Sequence, residues 1–278
     1  RSYIKMSYFD FAMIGGDQRQ HYLHKLLLKQ NYSVICYGIR PHNAVNAVSL
    51  EEAVCSSQKL IAPIPFSKDG ISLTQSPGEN PVFINKLMEL LHSKHTIIAG
   101  NIPSSITSRC HCIDLMKQEK FITANSIATA EAAAAIAILQ FPDNLQGCQC
   151  LITGYGHCAK ALAQCLDSLH AVVTIAARSP YARKEAMQNG FHAIDLLDLK
   201  PRLASFSILF NTIPFPVFSK EMVMECHSST LYLELASTPG GLADISYAKE
   251  KLSVVSCPGL PGRFAPFASA KAIFNCLI

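Results

Sequence analysis

Short apolar runs alternate with longer helix-forming segments along the chain. In the first half the runs predict strands at residues 9–14, 33–37, 59–62 and 96–99, with helices at 19–30 and 81–93. In the second half an apolar run ends at Thr153, and further strands are predicted at 172–177, 207–211, 230–235 and 253–256. This alternation is typical of a mostly parallel sheet with helices on both faces. The polar segment 65–81 is interpreted as a surface loop or hairpin.

Residues 126–139 differ from this alternation because they are rich in alanine, which favours a helix and allows close packing. We interpret them as a long helix joining two domains. The predicted fold is α/β, with two Rossmann-like doubly wound domains joined by that helix and a cleft between them. Residues 1–125 form a substrate domain, residues 126–265 contain the linking helix and the cofactor domain, and the helix 266–278 packs back on the first domain.

Composition argues against several classes of protein. Of the 278 residues, 49% are hydrophobic and 16% are charged, so a substantial core can be buried. The net charge of +4 is mild and the basic residues are scattered, which argues against a nucleic-acid partner. No apolar run reaches the roughly 20 residues of a membrane span, so we expect no membrane. The chain begins at Arg1 without Met, which processing, a tag scar or an incomplete start would each explain.

The eleven cysteines lack the spacings of zinc sites, and we predict no metal. Cys36, Cys150, Cys165 and Cys276 lie in apolar or helical runs. We expect buried free thiols, no structural disulfides and a cytosolic location.

The most informative motif is a glycine-rich turn between a strand and a helix, Gly154-Tyr155-Gly156-His157-Cys158-Ala159. Gly154 permits the tight turn, Gly156 lets a pyrophosphate approach the backbone, and Ala159 keeps the helix close to the strand. We expect His157 to pack near the phosphates rather than to act in catalysis. A structural turn without a ligand is the alternative.

The strand after this turn ends at Arg178-Ser179, where NAD-binding proteins usually carry Asp or Glu. Because an arginine suits a 2′-phosphate, we predict NADP as the cofactor. The alternative is a solvated strand-end charge. Loops after three later strands provide the remaining predicted cofactor contacts, which are Asn211, Thr212, Ile213, Pro214, Ala236, Pro258 and Gly259.

The first domain contains a second glycine turn, Gly15-Gly16, which precedes a helix and predicts an anion site. Asp17 is either a helix N-cap or a functional acid, and Arg19 either holds a carboxylate or pairs with a local acid. Glu131 either faces the cleft or is a solvated helix residue. The predicted substrate contacts are Gly15, Gly16, Arg19, Asn101 and Arg263.

Together these motifs resemble the family of the dipicolinate synthase A subunit. The two most specific blocks are Ile14-Gly15-Gly16-Asp17-x-Arg19-Gln20 and Pro258-Gly259-Leu260-Pro261-Gly262-x-x-Ala265-Pro266, and matching blocks between them lie at 154–156, 177–179, 211–214 and 234–241. The His157-Cys158 pair and the segment 67–80 depart from the family pattern.

This resemblance implies that a dihydrodipicolinate-type precursor from the lysine pathway, a small dicarboxylate, is oxidised to dipicolinate with NADP as hydride acceptor. It also implies a flavoprotein-like partner, the B subunit of dipicolinate synthase, and the cytoplasm of the mother cell in a sporulating bacterium. Since aromatisation drives hydride loss, the protein mainly needs to orient the substrate and remove a proton, for which Glu131 or Asp17 is the candidate catalytic base. We also expect a homo-oligomer.

Two alternatives remain at this point. One is another two-domain NAD(P) dehydrogenase, of the 2-hydroxyacid or methylene-tetrahydrofolate type. Hydroxyacid enzymes use an arginine after the fifth strand, where this chain has Ala236-Ser237. The other alternative is a non-catalytic NADP-binding regulatory subunit.

Overall fold

The computed structural model describes residues 8–277 and divides into two units. The first unit contains the described residues up to Ala124 together with those from Ala265 onward, and the second is Asn125–Phe264. The start at Arg1 and the last residue of the predicted helix 266–278 lie outside the described residues.

The first unit is built on a parallel six-stranded sheet with the order β3-β2-β1-β4-β5-β6. Its strands are β1 Phe11–Ile14, β2 Val34–Tyr37, β3 Val45–Asn46, β4 Lys59–Ile61, β5 Thr96–Ala99 and β6 His111–Asp114. Its helices within this stretch are α1 Gln18–Lys29, α2 Leu50–Cys55, α3 Ile84–Leu90 and α4 Ser104–Thr107. Every residue of β1 is buried, as expected for a central parallel strand covered on both faces.

The linking helix α5 spans Glu119–Gln140, and the boundary between the units falls within it. It starts earlier than the predicted helix. Our expectation that no segment is long and apolar enough to span a membrane is wrong for α5 on length and composition alone. Its alanines, such as Ala133 and Ala137, pack into the core of the second unit, which is what the core helix of a soluble protein does.

The second unit repeats the architecture with the strand order β12-β11-β10-β7-β8-β9. Its strands are β7 Gln149–Thr153, β8 Val172–Ala177, β9 His192–Asp195, β10 Ile208–Asn211, β11 Leu231–Glu234 and β12 Ser253–Ser256. Its further helices are α6 His157–Ser168, α7 Pro180–Gln188, α8 Lys220–Glu225, α9 Ile245–Lys251 and α10 Leu260–Phe264. Counted within each unit, both sheets have the Rossmann order 3-2-1-4-5-6. The predicted α/β fold with two Rossmann-like domains is confirmed.

The last helix, α11 Pro266–Phe274, returns to the first unit. Its Phe267 ring lies edge-on to Tyr22 of α1, with the ring centroids 5.5 Å apart. The two ends of the described chain therefore build one core.

The prediction missed the edge strands β3, β6 and β9. The strands β6 and β9 have related sequences, His-Cys-Ile-Asp and His-Ala-Ile-Asp, and both are only partly buried. The aspartates Asp114 and Asp195 each cap a short 3-10 helix that follows the strand. Polar ends and half-burial blur the apolar signal of edge strands, which explains the miss.

Helix α3 is shorter than predicted because Phe83 pairs with Ser72 in an antiparallel bridge. The cysteines are also less uniformly buried than expected. Cys36 and Cys150 are buried, whereas Cys165 and Cys276 are half-buried. Burial raises the pKa of the Cys36 thiol to about 12.

Candidate functional site

The fingerprint turn joins β7 to α6 in the second unit. Gly154 has φ +86°, and a Cβ on it would lie 2.8 Å from Oγ1 of Thr212, so a side chain is excluded there. Gly156 is the N-cap of α6 without a side-chain cap, and a Cβ on it would meet no atom within 4 Å. The first N–H groups of α6 therefore begin beside open space, which suits an anion.

A groove of about 540 Å³ extends from this turn across the carboxyl ends of β7 and β8. It is lined by Gly154, Tyr155, Ala177, Arg178, Ser179, Ala182 and Ile213. Five of these residues were predicted cofactor contacts. The groove lies beside the point where the strand order reverses, between β7 and β10, which is where ligands bind in open α/β sheets.

The turn after β8 holds Arg178 at the surface. The Arg178 side chain is exposed, and Ser179 caps α7 by accepting a hydrogen bond from the Ala182 N–H. Beneath them, Arg183 Nη1 donates to the carbonyls of Ala177 and Arg178 at 2.7 and 2.8 Å, and it pairs with Asp195 at 2.7 Å. The sequence analysis missed Arg183, which braces the backbone that presents Arg178.

The remaining fingerprint residues have different surroundings. Ala159 is buried in the core, and His157 is exposed at the helix start. The Cys158 thiol lies 3.6 Å from Oγ of Ser126 on α5. Since this thiol faces α5, the contribution of Cys158 to an anion site is limited to its backbone N–H.

Behind the groove, the loops after three adjacent strands are tied together by Asn211, the last residue of β10. Its Oδ1 accepts a hydrogen bond from Thr153 Oγ1 at 2.6 Å, and its Nδ2 donates to Ile213 O at 2.9 Å and to Glu234 Oε1 at 2.7 Å. Thr212 adds a hydrogen bond from its hydroxyl to Thr153 O at 2.6 Å. The buried Asn211 side chain is therefore part of the scaffold beneath the site.

The Glu234 carboxylate, at the end of β11, accepts four hydrogen bonds. Oε1 accepts from Asn211 Nδ2 and from the N–H of Ala236, and Oε2 accepts from Tyr232 Oη and from the N–H of Gly241. Burial and the Glu234 charge raise the pKa of Tyr232, so its hydroxyl stays a donor. Glu234 appeared in a family block but was not among the predicted site residues.

Pro258, Gly259 and Arg263 lie beyond β12, the edge strand of the second sheet. Gly259 has φ +64° with open space around it. Arg263 is exposed and packs on the ring of Phe264 at 5.6 Å. None of the three lines the groove described above.

In the first unit, the Gly15-Gly16 turn does not offer its N–H groups to a ligand. The Gly15 N–H donates to Tyr37 O and the Gly16 N–H donates to Thr74 O, both at 2.9 Å. A Cβ on Gly16 would lie 2.4 Å from the Gln20 side chain. These glycines allow close packing of the backbone against the polar hairpin, so the expected anion site is corrected to a structural turn.

Asp17 and Arg19 are paired with each other. Asp17 is the N-cap of α1 in a capping box with Gln20, and its carboxylate accepts two hydrogen bonds from Arg19 Nε and one from Nη2, at 2.9, 3.2 and 2.6 Å. Arg19 Nη2 also donates to Ile64 O, and only 7% of its side chain is exposed. Of the two roles considered for each residue, the geometry favours the N-cap and the local ion pair.

The other two predicted residues are exposed. Asn101 follows β5 with φ +56°, and its N–H donates to Asp114 Oδ1 at 3.0 Å. Glu131 on α5 lies close enough to Cys165 that its charge, after burial, raises the pKa of that thiol. Cys165 is seven residues, or about 10 Å, along α6 from Cys158. This placement, away from the fingerprint turn, favours a solvated helix residue.

Comparison with known proteins connects this geometry to a family. Residues 10–117 match the family model for the N-terminal domain of the dipicolinate synthase A subunit. The A subunit of dipicolinate synthase from Bacillus subtilis (strain 168) is 28% identical over 287 residues, which cover 96% of this chain and 93% of the relative.

Solved structures agree on the fold. The crystal structure of the Bacillus subtilis dipicolinate synthase A subunit superposes with a TM-score of 0.84 at 24% identity, covering 98% of this chain and 95% of that one. The corresponding protein from Bacillus halodurans gives a TM-score of 0.86 at 21% identity, with coverage of 98% and 97%. A transhydrogenase from Sinorhizobium meliloti gives 0.66 at 12% identity, with coverage of 96% and 93%. The chain thus has an NAD(P)-linked dehydrogenase-like fold, and its resemblance to the family of the dipicolinate synthase A subunit is confirmed.

Proposed function

We propose that this protein is an NADP-dependent dehydrogenase that forms dipicolinate. A dihydrodipicolinate-type precursor would lose a hydride to NADP and a proton to a base, giving dipicolinate, NADPH and a proton. The observation that carries the proposal is the groove at the fingerprint turn in a chain that resembles a dipicolinate synthase A subunit over 96% of its length. The product is aromatic, which favours hydride loss, so the protein mainly has to hold and orient the reactants.

The described residues fit a nicotinamide dinucleotide. The uncapped start of α6 at Gly156 would hold the pyrophosphate through backbone N–H groups. The exposed Arg178 guanidinium would bind a 2′-phosphate through charge-assisted hydrogen bonds. An acidic residue at this position would repel the same phosphate. We therefore infer NADP rather than NAD.

The loops after β10, β11 and β12 would meet the nicotinamide half. We assign Thr212, Ile213, Pro214 and Ala236 to this half, with Pro258 and Gly259 at its outer edge. Asn211 would act by holding its loop, since its carboxamide is used within the protein.

The substrate contacts are less defined than the cofactor contacts. We retain the exposed residues Asn101 and Arg263 as candidate contacts for a small dicarboxylate. Arg19 is excluded from this assignment because its guanidinium is bound to Asp17 and to Ile64 O. Glu131 lies near Cys165, and we assign no residue as the base.

Similarity to one component of a two-component synthase loosely implies a partner protein. We propose the flavoprotein-like B subunit of dipicolinate synthase in that role, and a cytoplasmic location in the mother cell of a sporulating bacterium. The homo-oligomer stays a prediction.

The test supplies the product of dihydrodipicolinate synthase with NADP or NAD, with and without the flavoprotein-like partner. NADPH and the ultraviolet absorbance of the pyridine product are followed together. Both should rise with NADP. If the dinucleotide binds but neither signal rises under any condition, a non-catalytic, NADP-binding regulatory role becomes the better description. A clear preference for NAD would remove the role of Arg178.

A further inference from the structure

We propose that Glu234 is a positioning residue that sets the nicotinamide-side loop before the cofactor arrives. This inference rests on the proposed function, since it concerns the same dinucleotide site. It assigns to one carboxylate a task that neither the fingerprint motif nor the groove residues perform.

The first argument is the way the carboxylate closes its loop. Ala236 and Gly241 are the first and last residues of a six-residue loop, and their N–H groups donate to Oε1 and Oε2 of Glu234 at 3.1 and 2.7 Å. One rigid, planar group thus fixes both ends of the loop. The loop interior, Ser237–Gly240, is left to face a ligand.

The second argument is that the loop has been shaped around the carboxylate. A Cβ on Gly240, which has φ +81°, would lie 2.9 Å from Glu234 Oε2. A Cβ on Gly241 would lie 2.5 Å from the Asn211 carboxamide and 2.7 Å from Tyr232 Oη. The two glycines remove side chains at the points where the backbone must approach the network.

The third argument is continuity with the fingerprint turn. Glu234 Oε1 binds Asn211 Nδ2, whose amide oxygen binds the hydroxyl of Thr153, the residue before Gly154. The chain of hydrogen bonds therefore fixes the loop after β11 relative to the turn that would hold the pyrophosphate. Such a link sets the distance between the two halves of a dinucleotide site, which is a preorganisation effect.

The decisive variant is Glu234→Gln, which keeps the size of the side chain and replaces one acceptor oxygen by a donor. An NH2 group facing Ala236 or Gly241 would meet a backbone N–H that cannot turn round, so one end of the loop is released. Tyr232→Phe is the matched control, because it removes a donor to Oε2 but leaves both backbone clamps in place. Glu225→Gln makes the same chemical change at an exposed carboxylate.

The measurement compares two ligands by calorimetry: whichever of NAD and NADP binds the wild type more tightly, and the matching ADP-ribose that lacks the nicotinamide. In Glu234→Gln we expect affinity for the full dinucleotide to fall about tenfold and affinity for the ADP-ribose to change less than about twofold. Both controls should keep the wild-type values. Equal losses for both ligands, or no loss, would overturn the positioning role.

Hydrogen exchange of the unliganded wild-type protein provides a second measurement that does not depend on the variant folding. The amides of Ala236 and Gly241 should exchange slowly without cofactor, whereas fast exchange of both would overturn the inference. If the wild type binds no dinucleotide, the proposed function fails and the inference with it. If it binds and Glu234→Gln binds equally well, only the inference fails.

Discussion

The Asp17 carboxylate and the Arg19 guanidinium form a 2.6 Å ion pair at the first turn of α1. These two residues belong to one of the most specific sequence blocks of the chain, and they are used to build the helix start. The geometry gives this block a structural role where the sequence suggested a ligand site. It also predicts how substitutions should divide between stability and activity.

Replacing Asp17 by Ala should lower the free energy of unfolding by at least about 2 kcal/mol. It removes an N-cap and leaves the nearly buried Arg19 guanidinium without its partner. The matched control is Asp244→Ala, because Asp244 also caps a helix and pairs with Lys220, but that lysine is 55% exposed. Denaturant titration of both variants measures the difference. Equal losses would show that burial of Arg19 contributes nothing.

The two fingerprint glycines should separate folding from binding. Gly156→Ala meets open space and should keep the melting temperature, while its methyl group blocks the approach of a pyrophosphate. Gly154→Ala needs a strained positive φ and meets Thr212, so it should lose about 1 kcal/mol or more of stability as well as binding. Thermal unfolding and calorimetric titration with NADP check the pair. A Gly156→Ala variant with unchanged affinity would argue against a pyrophosphate at this turn.

Arg178→Ala should weaken NADP binding about tenfold or more and leave NAD binding nearly unchanged, because only NADP carries the 2′-phosphate. Arg202→Ala changes an exposed arginine in the same unit that lies outside the groove, and it should affect neither ligand. Titration with both dinucleotides measures the ratio. A parallel loss of NAD and NADP affinity would contradict the assignment.

The stability of the first unit should fall in mild acid because of His24. Burial, and then the nearby charge of His21, lower the pKa of His24 in the folded state, and no ring-nitrogen partner exists among the described residues. Below about pH 6.5 the unfolded chain takes up a proton that the folded chain refuses. The free energy of unfolding therefore decreases as pH falls through this range.

His24→Leu should flatten this part of the pH profile. His95 behaves in the same direction, since burial and the charge of His92 lower its pKa, so the double variant His24→Leu with His95→Leu should be flatter still. Denaturant titrations at several pH values supply the profile. An unchanged slope in both variants would assign the acid sensitivity to other groups.

Glu131→Gln should keep kcat of the proposed reaction within about twofold. The side chain is exposed beside Cys165, about 10 Å along α6 from the start of that helix. Steady-state kinetics with the wild type as reference test this, and a loss of a hundredfold or more would restore Glu131 as a candidate base.

The cofactor half was more predictable than the substrate half for a local reason. The fingerprint turn depends on backbone conformation at Gly154 and Gly156 and on a helix that starts there, and these are encoded by neighbouring residues. The roles of Asp17, Arg19 and Gly16 depend on Ile64, Thr74 and Gln20, and two of these partners are more than 40 residues away. No local pattern reveals that a charge is already paired.

The sequence by itself determined the two α/β units, the linking helix, the glycine turn and the arginine after β8, because apolar periodicity and glycine conformation act over short stretches. Only the tertiary structure showed which polar groups are already satisfied. It placed Arg183 under Arg178, bound Arg19 to Asp17, and gathered four donors on Glu234 from Tyr232, Ala236, Gly241 and Asn211. Hydrogen bonds between distant segments are fixed by the packing of the sheet and its loops, and that packing is a property of the whole fold.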